Sequence, residues 1–338
     1  MTSRTRIALL AGIVVLAVVG AAGYVWLAQR NRADALAQAP DRAVDADLAA
    51  VARGPHLVFR NTAVGAGYGQ VAVVPLDRPG GARALTPATC ERVFAIRGEA
   101  LCVAADRGLV TTYSAQLLDA SWAPTRTLPL VGLPSRARLS ADGTLAATTT
   151  FVHGDSYADP GQFSTRTVVS HADGAPGQDL EQFRLLVDGA QVRAADRNLW
   201  GVTFVDDDTF YATAASGGRT WLVRGQLSQR TLTSVRSDVE CPSLSPDRTR
   251  IAFKKHGDLP AGQWRLAVYD LATGRETVLA ETRSVDDQVV WLDNRQIIYG
   301  LPRAGEGSAS SDVWVVPADG SGTPGLLIPD AWSPSVVR

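Results

Sequence analysis

From residue 55 onward, apolar side chains alternate with small or polar ones in short runs broken by Gly, Pro, Asp and Ser. A period of two with frequent turn formers is the pattern of half-buried strands, and helical periodicity is scarce over the same region. The clearest unit is 241–253, Cys-Pro-Ser-Leu-Ser-Pro-Asp-Arg-Thr-Arg-Ile-Ala-Phe. Leu244 belongs to a short apolar run, Ser245-Pro246-Asp247 turns the chain, and Ile251 and Phe253 lie in a second run, so the stretch predicts a β-hairpin. Its frame recurs at 137–144 and 291–299, more weakly at 205–211, and Trp332-Ser333-Pro334 opens another copy.

Anchored on their turns, the copies fall near Gly98, Asp142, Asp207, Asp247, Asp293 and Ser335, in steps of 44, 65, 40, 46 and 42 residues. Periods of roughly 40–45 residues with about four strands each are the signature of β-propeller blades. The fifth unit supplies its third and fourth strands at 264–270 and 276–280, and the sixth at 312–317 and 325–328. The expected fold is all-β: a six-bladed β-propeller of four-stranded antiparallel blades, preceded by one N-terminal transmembrane helix. A β-sandwich with fortuitous spacing is the competing architecture.

Pro242-Ser243-Leu244-Ser245-Pro246-Asp247 followed by Ile251-Ala252-Phe253 resembles the repeat of TolB-like β-propellers, which carry Pro-x-x-Ser-Pro-Asp-Gly before an apolar strand. The Gly of that pattern is kept at Gly143 and is Arg248 in the best copy. The resemblance spans about 55–338 and implies a propeller acting as a protein-binding scaffold in the cell envelope. Such blades also occur in peptidase gating domains and in other binding proteins, so the motif speaks for fold before function. The 29–54 segment is too short for the α/β domain that precedes the propeller in TolB, which weakens transfer of that protein's role.

Residues 7–28 carry no charge. As a helix they would extend about 33 Å, enough to cross a hydrocarbon core of about 30 Å. Tyr24 and Trp26 sit near one end, where aromatic rings favour the membrane interface. A cleaved signal peptide is the competing reading, but its apolar region is normally shorter. The expected organisation is a cytoplasmic tail (1–6), a signal-anchor helix (7–28), a tether (29–54) with a short helix near 41–51, and an extracytoplasmic propeller (55–338).

The first unit supplies only three strands, while 331–337 is a strand in surplus at the other end. The two together complete one blade and close the ring, removing an open sheet edge. The third unit, 136–191, is about 20 residues longer than the blade period. Its excess is expected in 153–166, a loop whose His153, Tyr157, Phe163 and Arg166 make it a candidate binding element. On the face holding the loops that enter each inner strand, here the top, the pattern places Glu91, Arg136, Asp196, Glu240, Asp286, Asp287 and Asp330. Such a ring of carboxylates at the channel mouth would focus negative potential and attract a basic peptide or a divalent cation. The alternative is that these acids cap turns. The tether reaches the opposite face, leaving the top, with the 303–311 loop, pointing away from the membrane.

The formal net charge of −1 lacks a basic block, so nucleic-acid binding has no electrostatic support. No Gly-x-Ser-x-Gly, His-Glu-x-x-His or Cys-x-x-Cys occurs, and the four histidines (56, 153, 171 and 256) are scattered. Gly65-Ala66-Gly67-Tyr68-Gly69 joins two strands and opens no helix, and 206–208 reads as a hairpin turn. Cys90 and Cys102 fall on adjacent strands of the second blade; a bridge and two buried thiols are both open, and Cys241 lies across the ring. The sequence therefore favours a non-enzymatic, monomeric, membrane-anchored scaffold for an envelope protein, with no required cofactor. The alternative is an envelope enzyme, a metal-dependent lactonase- or hydrolase-like propeller using the carboxylate ring.

Overall fold

The recurring turn is built by its own side chains. In the computed structural model, Ser245 Oγ donates to Asp247 Oδ1 (2.6 Å), which also accepts from the amide of Thr249, while the amide of Arg250 donates back to Ser245 Oγ. Ser140, Asp142 and Thr144 repeat the arrangement, and Leu145 N takes the place of Arg250 N. The residue after the Asp has positive φ in both copies, 77° at Gly143 and 60° at Arg248. That is why the pattern favours Gly there, and Arg248 adopts the same left-handed backbone without its freedom.

The structure describes residues 3–38, 43–108, 110–159, 161–304 and 310–338. Among the described residues six sheets succeed one another around a ring, each built on four antiparallel strands. From the centre outward, the second blade comprises Arg92–Ile96, Glu99–Arg107, Thr111–Leu118 and Pro124–Leu128. The inner strands of the third to sixth blades are Leu133–Leu139, Asn198–Phe204, Glu240–Leu244 and Val290–Trp291. Ala331–Val337 is the innermost strand of the first blade, paired antiparallel with His56–Asn61. The two ends of the propeller thus share one sheet. Between blades, alternate strand residues pack into dry layers; Leu57, Phe59, Ile298 and Val313 form one such layer between the sixth and first blades.

The surplus of the third unit divides between two places. Residues 154–163 form the expected loop between Leu145–His153 and Ser164–His171. The remainder leaves the blade altogether. A hairpin of Arg184–Val187 and Ala190–Val192 joins the outer edge of the fourth blade, where Arg184–Val187 runs parallel to Thr231–Ser237 and makes that sheet six-stranded. Leu180, Phe183 and Leu185 are buried against Leu227 and Leu232, so apolar burial holds the hairpin on the neighbouring blade.

The N-terminal helix Ser3–Gln38 contains Gly12–Arg30, which is long and apolar enough to cross a membrane. The short helix of the tether is Leu48–Ala52, later than expected, capped by Asp47 accepting from the amide of Ala49. Leu48 and Val51 pack under the first and second blades, and Arg83 N donates to Ala43 O. Residues 39–42 of the expected tether and 305–309 of the expected top loop lie outside the described residues. Cys90 and Cys102 are joined by a disulfide, and Cys241 is a buried free thiol.

Candidate functional site

The acids do not form a free ring, because nearly every one has a cation at contact. Lys254, fully buried on the strand beside Glu240–Leu244, lies between Glu240 Oε2 (3.3 Å) and Asp286 Oδ1 (2.5 Å). Arg136 Nη2 also reaches Asp286 Oδ1 (3.2 Å), and Arg92 Nη1 meets Asp287 Oδ1 (2.9 Å). Glu91 is held by Arg60 and Arg107, and Asp330 by Arg303. Arg136 itself lies within an inner strand, not in the loop that enters it. Asp196 stands away from the channel: it accepts from Ser216 Oγ and the amide of Gly217, both at 2.6 Å, and caps the fourth-blade hairpin.

Burial makes this pairing obligatory, since an isolated charge in a low-dielectric interior is expensive. Burial pushes the Glu240 carboxyl upward, but Lys254, His256 and Trp264 outweigh it and hold the group below the usual carboxylate range. Asp286 is held down in the same way, with burial opposed by Lys254 and Arg136. For Lys254 burial works toward the neutral amine, and Asp286 and Glu240 more than reverse it. Arg138, stacked over Phe94 with a ring distance of 4.5 Å, is lowered by burial to about 10. A small pocket among Arg92, Arg136, Arg138 and Asp287 holds about 20 Å³, room for roughly one water.

A different site opens off the channel, on the top between the third, fourth and fifth blades. This cavity has a volume of about 600 Å³, within the usual range for small-molecule sites. Tyr157 and Phe163 of the 154–163 loop form one wall with Trp200 of the fourth-blade inner strand. Their ring centroids lie 5.0–5.7 Å apart, in tilted and edge-on contacts. Tyr157 is buried and its hydroxyl bonds Ser135 Oγ (2.7 Å), so the loop is anchored through its own aromatic residue. Gly201 beside Trp200 has φ 68°, and a Cβ there would lie 2.7 Å from Cys241 Cα, so only glycine lets these two inner strands approach.

The opposite wall carries charge. His256 Nε2 contacts Glu240 Oε1 at 2.9 Å, and its Nδ1 lies 2.9 Å from the carbonyl of Gln263. Only the imidazolium donates to both, and the Glu240 contact raises the His256 pKa. Asp238 accepts from the amides of His256 and Gly257. Trp264 Nε1 donates to Glu240 Oε1 (3.1 Å), while Trp200 Nε1 is buried without a hydrogen-bond partner.

Of the loop residues singled out from sequence, Tyr157 and Phe163 line this cavity; Arg166 instead pairs with Asp179, and His153 is exposed outside it. Asp196 and Glu240 line it too, whereas Glu91, Asp286, Asp287 and Asp330 do not. Sequence reasoning missed Trp200, Asp238 and His256. One signal was available for His256: it lies two residues beyond Lys254, whose register partner is Glu240, and alternation returns it to the same side of the strand. Nothing local distinguished Trp200. Among the described residues there is no group of three or more His, Cys, Asp or Glu placed to hold a metal ion.

No protein-family model matches the chain, and no curated protein matches it. Solved structures do. TolB from Acinetobacter baumannii superposes with a TM-score of 0.60 at 16% identity, over 85% of this chain and 68% of that one. A chain of a nidogen/laminin complex gives a TM-score of 0.55 at 13% identity, over 84% of this chain and 98% of that one. A puromycin-hydrolyzing peptidase of Mycobacterium tuberculosis gives 0.50 at 15% identity, over 81% of this chain and 43% of that one. Likeness at these identities speaks for architecture alone. By that measure and by its sheet order, the chain has the TolB-like six-bladed β-propeller fold.

Proposed function

We propose that this protein is a membrane-anchored, extracytoplasmic recognition module: a non-catalytic propeller that presents its top face to a protein partner in the cell envelope. One observation carries the reading. The helix after the candidate span packs on the bottom of the first and second blades, whereas the open cavity and the 154–163 loop lie on the opposite face. The Cys90–Cys102 disulfide supports an oxidising compartment, since such bonds are rare in the cytosol. The buried acids of the channel are already engaged by cations, which moves the docking surface outward to the top loops.

Affinity capture from crosslinked membranes tests this reading. Asp155→Arg with Asp258→Arg alters exposed loops of the top face, and Arg275→Glu alters an exposed turn of the bottom face. The expected result is one partner captured by the wild type and by Arg275→Glu, and lost with the top-face pair. Equal capture by the top-face pair, or loss in Arg275→Glu alone, overturns it.

A further inference from the structure

The chemistry of the top cavity points to a ligand class. Phe163 is only partly buried and supplies an apolar ring surface, backed by Tyr157 and Trp200. Around it stand the neutral hydroxyl groups of Ser164, Ser216, Thr220 and Ser237. Trp200 stands behind Phe163, its ring almost wholly buried. The exposed Asp196 carboxylate spends two acceptor positions on Ser216 and Gly217; an ionised carboxylate has about four.

Charge discriminates further. Glu240 is matched by Lys254 and His256, and Asp238 lies 3.5 Å from Lys255 Nζ. Arg219 stands on the same rim as Asp196. The cavity's carboxylates are therefore matched by neighbouring cations, which leaves no net field to draw in either an ammonium group or an anion. What remains is an aromatic surface, hydroxyls and a carboxylate acceptor. That set suits an uncharged polyhydroxylated ring, whose C–H face rests on an aromatic ring while its hydroxyls both donate and accept.

We propose that the cavity between the third, fourth and fifth blades binds a neutral saccharide of about one or two rings, the size its volume admits. Phe163 provides the stacking surface, and Asp196 accepts from ring hydroxyls. The proposal rests on reading the top as the recognition face, but it needs no protein partner.

The test is a titration of the full chain in lipid nanodiscs, followed by tryptophan fluorescence and by calorimetry. The probes are maltose, cellobiose, lactose, trehalose and diacetylchitobiose, with putrescine and galacturonate as charged counterparts. At least one neutral sugar should bind saturably with Kd below about 1 mM. Phe163→Ala should weaken it tenfold or more, and Asp196→Asn, an exposed change that leaves the core intact, several-fold. The proposal is overturned if no neutral sugar saturates, if putrescine or galacturonate binds in its place, or if neither variant alters the affinity. Sugar binding without a captured partner would sink only the scaffold reading. A partner captured by the top face without sugar binding would sink only this one.

Discussion

The central channel and the top cavity are neighbours, share Glu240, and are both lined by acids and aromatic rings, yet they have opposite characters. In the channel six inner strands converge: Arg92 and Arg136 reach Asp287 and Asp286 from other blades, while Lys254 joins Glu240 of its own blade to Asp286 of the next. In the cavity the blades diverge and the loop carrying Tyr157 and Phe163 bridges the gap, leaving about 600 Å³ whose rim includes the exposed Asp196 carboxylate. The difference teaches that an acid's residue type says little about its use. Its distance from the ring axis decides whether it is consumed by folding or left for a ligand.

The sharpest way to break this comparison is Lys254→Met. It leaves Glu240 and Asp286 without their shared cation and should cost about 3–5 kcal/mol, read by denaturant unfolding. Adding Glu240→Gln should recover part of that loss, because the uncompensated charge is then removed. A cost below about 1 kcal/mol for the single change would mean that the channel network does not hold the ring.

A smaller effect is expected where the two regions meet. The folded-state pKa of His256 is raised by its contact with Glu240. The pair therefore stabilises fully below the unfolded histidine value of about 6.5, and that contribution is lost as pH rises through the folded value. The fold should lose about 1 kcal/mol between pH 6 and pH 9 from this contact. His256→Gln should remove that component from a series of melting temperatures; an unchanged profile would disconnect the pair from stability.

The smallest effect belongs to the cavity rim. Asp196→Asn should change stability by no more than about 0.5 kcal/mol, since the residue is exposed and Asn can still accept from the Gly217 amide. A loss as large as that from Lys254→Met would make Asp196 a structural acid and erase the distinction between the two regions.

Much of the architecture was legible along the chain because hairpins are local. Ser245, Pro246 and Asp247 close a turn with hydrogen bonds spanning a few residues, and the spacing of such turns counts the blades. The closing role of 331–337 followed from a strand missing at one end and in surplus at the other. The candidate site was only partly legible. Tyr157 and Phe163 stood out as aromatic residues in an overlong loop, whereas Trp200 looked like any other inner-strand residue. Arg184–Val187 read as part of the third unit, yet its strand partner, Thr231–Ser237, lies more than forty residues onward.

What the sequence by itself determined is what short-range physics can encode: alternation for strands, turn chemistry for hairpins, and an uncharged run long enough to cross a bilayer. The tertiary structure alone decided which cation meets which acid, where the surplus hairpin lies, and which aromatic rings enclose a cavity. The reason is geometric. Ring closure brings together oppositely charged residues separated by as many as 195 positions, as in the pair Arg92–Asp287, and no local pattern records the charge waiting on the other side of the ring.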